Sequence, residues 1–439
     1  MSVEKVNANP TKDFFISMLV KDISLINAIA DLVDNCVDGA IKIRKNGDYT
    51  GLRVDLTLSS KSFEITDNCG GFSSEVAAKY AFRFGRTELA ENKVDNSVGR
   101  FGVGMKRALF KIGKNFTVKS VCSSSEFSIS VDVNEWKQDE SNDWQFKFDY
   151  INGNPTTDNF GTKITMYNIY EDIAKQFEQS TFINTLKKEI KASHEKMLEK
   201  GLIISINGQD LEFNPSYLLI SDEIKPAYCT FEIEGGISIK IYAGITDRGK
   251  PKEAGWYIYC NQRLILEADR TLVTGWGDGF PLFHNSFARF RGYVFIDAKD
   301  ADILPWNTTK SGIDQDSLIY RGIRLEMIKI GRTVIDFLKD LVKENQEEDD
   351  DEILNDFSLN DKIDVAKNER ISFLKTDELA PKFTAPQLVR IRKPNDTQKI
   401  QYVKPISEIL KVKSVLKVTT LKEVGEKTFD YFYRMECDD

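Results

Sequence analysis

The stretch AIADLVDNCVDGA at residues 28–40 decides the fold. Asp31, Asn35 and Asp38 are spaced by four and three residues, so a helix places them on one face. A helix predicted over 14–45 also carries an apolar stripe nearly opposite that face: Ile26, Ile29, Val33 and Val37. Carboxylate and amide oxygens are ligands that hydrated Mg²⁺ accepts. The pattern therefore fits either a magnesium-binding helix or an ordinary amphipathic helix with a polar outer face.

Two glycine-bearing stretches follow. Asp67 ends a predicted strand, and Gly70 and Gly71 after it allow the backbone to approach a flat ligand closely. GRFGVG at 99–104 precedes a predicted helix whose free N–H groups favour phosphate. Each stretch alone also fits a simple turn. The second has the glycine spacing of Rossmann turns, but a polar stretch at 85–98 precedes it instead of a hydrophobic parallel strand, so that architecture is excluded.

Four segments in this order resemble the motifs of the GHKL ATPases, the superfamily of gyrase B, heat-shock chaperones, histidine kinases, MutL and MORC proteins. The segments are AIADLVDNCVDGA (28–40), ITDNCGGF (65–72), VGRFGVGMK (98–106) and GTKIT (161–165). The resemblance implies an α+β fold class, with a Bergerat-type ATP-binding α/β sandwich, then an α/β transducer domain and a small C-terminal region. It also implies ATP and Mg²⁺ as cofactors.

The resemblance implies a role for each matching residue. Asn35 would bind Mg²⁺, and Asp38 would help to position it. Asp67 would accept a hydrogen bond from the adenine amino group, supported through water by Thr162, and Gly71 would let the ring pass the backbone.

The same resemblance implies a phosphate site and a lid. Backbone N–H groups would hold the phosphates, and the side chain of Lys106 would add positive charge. The residues of this site are Gly99, Gly102, Val103, Gly104, Met105 and Lys106. Residues 85–98, which include Arg86 and Thr87, would form the ATP lid.

Asp31 stands where hydrolytic members of the superfamily carry a Glu that orients and deprotonates the attacking water. The side chain of Asp is one methylene shorter, and a misplacement of about 1 Å can reduce the rate about 100-fold. We therefore expect slow ATP hydrolysis, and a non-hydrolysing switch is the alternative. Cys69 replaces the first glycine of its motif, so Gly70 is expected to take over the turn.

Two segments beyond the ATP-binding motifs resemble parts of a transducer domain. LPWNTTKSG at 304–312 resembles the transducer loop that delivers a lysine to the γ-phosphate in gyrase B, MutL and MORC proteins. This implies that Lys310 senses ATP, and a solvated surface lysine is the alternative. YIYCNQRLI at 257–265 resembles the preceding strand-turn-strand, in which Arg263 is expected to brace the turn.

Comparison within the superfamily favours MORC-like ATPases, including the bacterial stand-alone kind. His194 is interpreted as an exposed helix residue after the ATP-binding domain, so a sensor histidine kinase is excluded. MutL has an Arg-Gly-Glu run at the end of its lid that this chain lacks, and heat-shock chaperones need longer middle domains. The MORC-like group is favoured by three features of the sequence: Lys106, the Asp34-Asn35 pair and the two segments that resemble a transducer domain.

The composition of the chain bears on charge, membrane association and metal binding. The 439 residues include 60 Lys and Arg against 68 Asp and Glu, a net charge of −8. The polar N-terminus has no secretory segment, and no apolar run near it approaches the roughly 20 residues that span a bilayer. Six scattered cysteines and two histidines disfavour a zinc site. We expect a cytoplasmic protein without membrane association.

The predicted domains are an ATP-binding domain at 1–170, a transducer domain at 171–343, an acidic linker at 344–380 and a basic C-terminal region at 381–439. The linker prediction rests on an acidic run that starts at Glu344. Residues 381–422 hold ten Lys and Arg against two acidic residues, a net charge of +8. This charge fits DNA phosphates, or a face that binds a partner protein.

Two functions follow from the resemblance. In the first, ATP binding drives homodimerisation, and the closed dimer is a slowly hydrolysing clamp on DNA, in genome maintenance or antiviral defence. In the second, the chain is an ATP-sensing module that regulates an effector protein with little turnover.

Overall fold

The computed structural model describes residues 11–21, 23–83, 104–138, 144–155, 157–307, 310–347, 353–355, 358–387, 390–392 and 400–437. The described residues form two compact units, one within 1–347 and 357–388, the other within 348–356 and 389–439. The predicted boundary at residue 170 falls inside the first unit, and a division there stays a prediction. None of the described helices has the length and apolar character that a membrane crossing requires.

The helices of the first unit, in chain order, are α1 (Lys12–Lys21), α2 (Leu25–Ile43), α3 (Ser74–Val76), α4 (Gly104–Ile112), α5 (Val133–Gln138), α6 (Glu171–Phe177), α7 (Ser180–Ser193), α8 (Glu195–Glu199), α9 (Leu318–Glu347) and α10 (Leu359–Val365). A π-helical turn, Ala77–Ala81, continues α3. The second unit contains α11 (Ile406–Leu416) and α12 (Leu421–Glu436).

The strands, in chain order, are β1 (Arg53–Leu58), β2 (Ser62–Asp67), β3 (Gly113–Cys122), β4 (Ser125–Asp132), β5 (Phe148–Asn152), β6 (Gly161–Ile169), β7 (Ile203–Ile206), β8 (Gln209–Asp210), β9 (Tyr217–Ile220), β10 (Ala227–Ile233), β11 (Ile237–Ile245), β12 (Gly255–Cys260), β13 (Arg263–Asp269), β14 (Phe290–Ala298), β15 (Ile353–Asn355), β16 (Lys367–Arg370) and β17 (Arg390–Arg392).

The first sheet has eight strands in the order β5-β4-β3-β6-β2-β1-β7-β8. All its pairs are antiparallel except β1 with β7. The register is set by alternation, since Val54, Leu56 and Leu58 of β1 are buried and Leu56 lies opposite Ile65 of β2. Helices α2 and α4 pack on each other, and α4 contacts β3 and β6. This sandwich and the sheet that follows it confirm the expected α+β fold class.

The second sheet has five strands in the order β10-β11-β14-β12-β13. Helix α9 packs against three of them, β10, β11 and β14, while α7 and α8 contact β13. One continuous cluster of buried apolar side chains includes residues of both sheets, such as Ile65 and Ile258. The eight-stranded sheet and the five-stranded sheet therefore share a core.

Residues 358–387 also belong to the first unit. Strand β16 pairs with β9, and α10 packs on α9. Glu344, the first residue of the predicted acidic linker, is 1% exposed, and its carboxylate accepts the N–H of Leu359 at 2.7 Å. The second unit contains α11, α12 and the β15–β17 pair.

Candidate functional site

Helix α2 carries the first predicted ligands. The hydroxyl of Ser24 caps it by accepting the N–H of Asn27 at 3.1 Å. Asn35 is exposed and Asp38 is half-buried, whereas Asp31 is only 6% exposed. The amide of Asn35 is therefore the most accessible of the three predicted groups, and Asp31 lies deepest.

Asp31 fits closely against the start of α4. A Cβ atom added to Gly104, the first residue of that helix, would lie 2.9 Å from Oδ2 of Asp31. The other carboxylate oxygen, Oδ1, lies 3.3 Å from Nζ of Lys310. Burial raises the pKa of Asp31, and the charge of Lys310 opposes that shift.

Asp34, one turn further along α2, is completely buried. Its Oδ2 accepts a hydrogen bond from Nζ of Lys310 at 2.5 Å, and its Oδ1 contacts Nη1 of Arg263 and, at 2.9 Å, Nε2 of His194. Burial alone would raise the pKa of Asp34, but the charges of Arg263 and Lys310 hold it well below its ordinary value. We call Asp31, Asp34, His194, Arg263 and Lys310 the Asp34 cluster.

The expectation for His194 is wrong. This residue is 1% exposed, and its Nδ1 lies 3.0 Å from the carbonyl oxygen of Ile190. Leu186 and Ile190 precede it at spacings of four along α7, and both are fully buried. His194 therefore continues the buried side of α7 and brings its ring to Asp34.

The interpretation of Arg263 is incomplete. Asn261 and Gln262 form the two-residue turn between β12 and β13, and both have positive φ angles, 46° and 67°. Arg263 follows as the first residue of β13, and its guanidinium extends to Asp34. A role in bracing the turn stays a prediction.

The loop that carries Lys310 is tightly folded. The N–H of Lys310 donates to the carbonyl of Asn307 at 3.0 Å, and the N–H of Asn307 donates to that of Gly312 at 3.0 Å. Trp306 anchors the loop in the core. Lys310 is 7% exposed, which excludes the alternative of a solvated surface lysine, and its contact with a γ-phosphate stays a prediction.

The predicted adenine contact lies at the end of β2. Oδ1 of Asp67 accepts the N–H of Cys69 at 2.7 Å, and the backbone of Thr162 and the thiol of Cys36 also hydrogen-bond to this carboxylate. Burial raises the pKa of Asp67, although these contacts oppose the shift. The Oγ atoms of Thr162 and Ser120 are 3.4 Å apart. The structure thus brings Asp67 and Thr162 together, as a shared adenine site requires.

The turn after Asp67 follows the prediction for Gly70. Gly70 and Gly71 have φ angles of 94° and 59°, whereas Cys69 is not among the residues with positive φ. A Cβ atom on Gly71 would lie 2.2 Å from the carbonyl oxygen of Val121 and 2.8 Å from that of Gly161. Position 71 therefore requires glycine because the backbones of β3 and β6 pack closely against it. A contact of Gly71 with adenine stays a prediction.

Comparison with protein families adds one finding to this geometry. Residues 23–157 match the family model of histidine kinase-, DNA gyrase B- and HSP90-like ATPases. No curated protein matched the chain. The match supports the GHKL superfamily for residues 23–157, which contain Asp31, Asn35 and Asp67. We call these residues the GHKL segment. The match does not reach Lys310, Arg263 or His194, and it does not test the MORC-like subtype.

Much of the predicted phosphate site lies outside the described residues. This applies to the predicted lid at 85–98, with Arg86 and Thr87, and to three residues of the predicted phosphate loop, Gly99, Gly102 and Val103. Met105, next to Gly104, is half-buried and packs on the core.

Lys106 has a contact that the sequence did not indicate. It is 2% exposed, and its Nζ donates to the carbonyl oxygens of Ala81 at 3.0 Å and Arg83 at 2.8 Å. Ala81 is the last residue of the π-helical turn, and Arg83 follows it shortly before the predicted lid. Lys106 therefore ties α4 to the entrance of that segment, and its contact with phosphate stays a prediction.

The donor chemistry of the GHKL segment fits Mg-ATP. Asn35 offers an exposed amide oxygen one turn from Asp31 and close to Asp38, and hard oxygen ligands of this kind suit Mg²⁺, which keeps several waters. Asp67 offers a half-buried acceptor for an amino group. Asn35 would hold the metal, which would supply charge neutralisation for the phosphates.

Sequence reasoning missed Asp34 and His194 as parts of the site. Both break an apolar pattern: Asp34 lies between Val33 and Val37 on the buried side of α2, and His194 follows Ile190 on that of α7. A polar residue at a buried helix position needs a buried partner, and this signal was available in the sequence.

Proposed function

We propose that this chain is a Mg²⁺-dependent, slowly hydrolysing ATPase of the MORC-like kind, whose ATP-driven dimerisation makes a clamp on DNA. The observation that carries the proposal is the contact of Lys310 with Asp31 at 3.3 Å, which joins a loop beyond the second sheet to the position of the general base. A cation that moves from the base to the γ-phosphate would make the second sheet respond to the nucleotide.

In the proposed mechanism, Asp67 binds the adenine amino group, and Asn35 would hold Mg²⁺, which would neutralise phosphate charge. Asp31 accepts a proton from the water that attacks the γ-phosphate. Lys310 neutralises charge on that phosphate and reports its presence to the second sheet. The short side chain of Asp31 and its ion pair with Lys310 favour slow turnover.

Partner surfaces are part of the proposal. Phe14 and Met18 lie one turn apart on α1 and are 55% and 58% exposed, which suits a contact with a second copy. The net charge of +8 at 381–422 suits DNA phosphates. The second candidate, an ATP-sensing module that regulates an effector protein, is favoured by the buried ion pair that restrains Asp31.

Steady-state phosphate release with Mg-ATP, with and without duplex DNA, tests the first candidate. Asp31→Asn should abolish turnover and keep ATP binding, whereas Asn35→Ala should remove both and serves as the control for contaminating ATPases. DNA-stimulated release that Asn35→Ala lacks would support the clamp. Release equal to that of Asn35→Ala in both conditions would favour the sensing module, and an unchanged rate in Asp31→Asn would refute Asp31 as the base.

A further inference from the structure

Lys310 is bound by carboxylates of α2. Its Nζ lies 2.5 Å from Oδ2 of Asp34 and 3.3 Å from Oδ1 of Asp31, and the residue is 7% exposed. Any anion that binds this ammonium group must compete with both carboxylates for its N–H donors. The affinity of such a ligand therefore includes the loss of the Asp34 contact.

The two carboxylates differ in what they retain when Lys310 leaves. Asp34 keeps Arg263 and His194 on its Oδ1, so its buried charge stays compensated. Among the described residues, Lys310 is the cation that hydrogen-bonds to Asp31. Departure of Lys310 therefore leaves Asp34 in place and changes the surroundings of Asp31 most.

We propose that Asp34, held by Arg263 and His194, is a positioning residue that keeps Lys310 on α2 until a nucleoside triphosphate offers its γ-phosphate. Transfer of Lys310 to that phosphate then frees Asp31 to accept the proton of the attacking water. ADP, which has no γ-phosphate, leaves Lys310 on Asp34. This inference rests on the proposed function, since it requires Lys310 to sense the γ-phosphate.

Nucleotide binding to the full chain tests the inference, with ADP and the non-hydrolysable ATP analogue AMP-PNP as probes. Asp34→Asn keeps the shape of the side chain and removes the charge that holds Lys310. We expect it to tighten AMP-PNP binding roughly tenfold, the scale of one hydrogen bond to a charged group, and to leave ADP binding unchanged. A purely structural role of Asp34 would move both affinities together.

Asp210→Asn is the matched control. It removes an exposed carboxylate that pairs with Arg53 at 2.8 Å, far in the sequence from Lys310, and should leave both affinities unchanged. Lys310→Met should remove the preference for AMP-PNP. If the unaltered protein prefers AMP-PNP and Asp34→Asn keeps the same ratio of affinities, the inference is wrong while the proposed function stands. If the unaltered protein binds neither nucleotide, both are wrong.

Hydrogen exchange of the unaltered protein gives a second test that does not depend on the folding of Asp34→Asn. Amides of residues 304–314 should exchange alike without nucleotide and with ADP, and differently with AMP-PNP. A change that is already complete with ADP would overturn the inference, because Lys310 would then leave Asp34 without a γ-phosphate.

Discussion

At the scale of the residue, the space around Asp31 decides what chemistry it can perform. Its Oδ2 lies against the first residue of α4, where only the missing side chain of Gly104 leaves room. Its Oδ1 faces the ammonium group of Lys310. The carboxylate is therefore positioned by a packing contact and an ion pair, and a small change in either contact should affect catalysis more than folding.

Gly104→Ala tests the packing contact. The new Cβ atom would lie 2.9 Å from Oδ2 of Asp31, so the carboxylate must shift by several tenths of an ångström. We expect turnover to fall about 10- to 100-fold, the cost of a misplaced reacting group. The melting temperature should change little, since alanine is the better helix former. Phosphate release and thermal unfolding measure the two effects.

Gly153→Ala is the control for this prediction, because a Cβ atom there meets nothing within 4 Å. It should leave both turnover and melting temperature unchanged. Equal turnover of Gly104→Ala and the unaltered protein would show that the contact with Asp31 does not position the carboxylate.

The residue scale also shows how far the sequence could lead. Asp31, Asn35 and Asp67 were recognised because their motifs keep a fixed order along the chain. The contacts of Asp34 with Arg263 and His194 join residues more than 150 positions apart, and no local pattern encodes which distant side chain will meet a buried carboxylate. Burial of Asp34 was predictable from helix periodicity, whereas the identity of its partners needed the fold.

At the scale of the element, the turn after β2 shows how closely backbones approach in the first sheet. Gly71 faces the carbonyl oxygens of Val121 in β3 and Gly161 in β6. Asp67, the last residue of β2, directly precedes this turn, so packing of these backbones affects where the predicted adenine contact lies. Substitutions here should reduce stability and nucleotide binding together.

Gly71→Ala should lower the free energy of unfolding by about 2–5 kcal/mol. A left-handed backbone costs a residue with a Cβ atom about 1–2 kcal/mol, and the clash adds about 1–3 kcal/mol. Gly51→Ala is the matched control: its φ angle is 85° and a Cβ atom meets nothing within 4 Å, so it should show the backbone cost alone. Urea unfolding measures both, and equal losses would show that the clash relaxes.

Prediction of the elements was good where one period runs without a break. The apolar stripe of Ile26, Ile29, Val33 and Val37 predicts a helix, and α2 contains all four residues. The single helix expected over 14–45 is instead α1 and α2, and that prediction was wrong. Ser24 caps the start of α2, and a serine before a periodic segment is a start signal that the apolar pattern alone does not reveal.

At the scale of the molecule, the first unit joins the GHKL segment to the second sheet through a shared core and the Asp34 cluster. Helix α1 contacts α4. Nζ of Lys111 in α4 donates a hydrogen bond to the carbonyl oxygen of Val20 in α1 at 3.0 Å. Movement of α4 on nucleotide binding would therefore reach α1. The exposed Phe14 and Met18 of α1 would transmit it to a second copy.

A double substitution, Phe14→Ser with Met18→Ser, tests this surface. We expect the variant to bind ATP like the unaltered protein, since neither side chain belongs to the predicted nucleotide site, but to stay monomeric with AMP-PNP at concentrations where the unaltered chain dimerises. Sedimentation velocity with and without AMP-PNP measures this. Val365→Ser with Phe373→Ser is the control, because these side chains are 79% and 61% exposed on other elements. Loss of dimerisation in both variants would point to general destabilisation. Dimerisation that persists in the Phe14→Ser, Met18→Ser variant would place the interface away from α1.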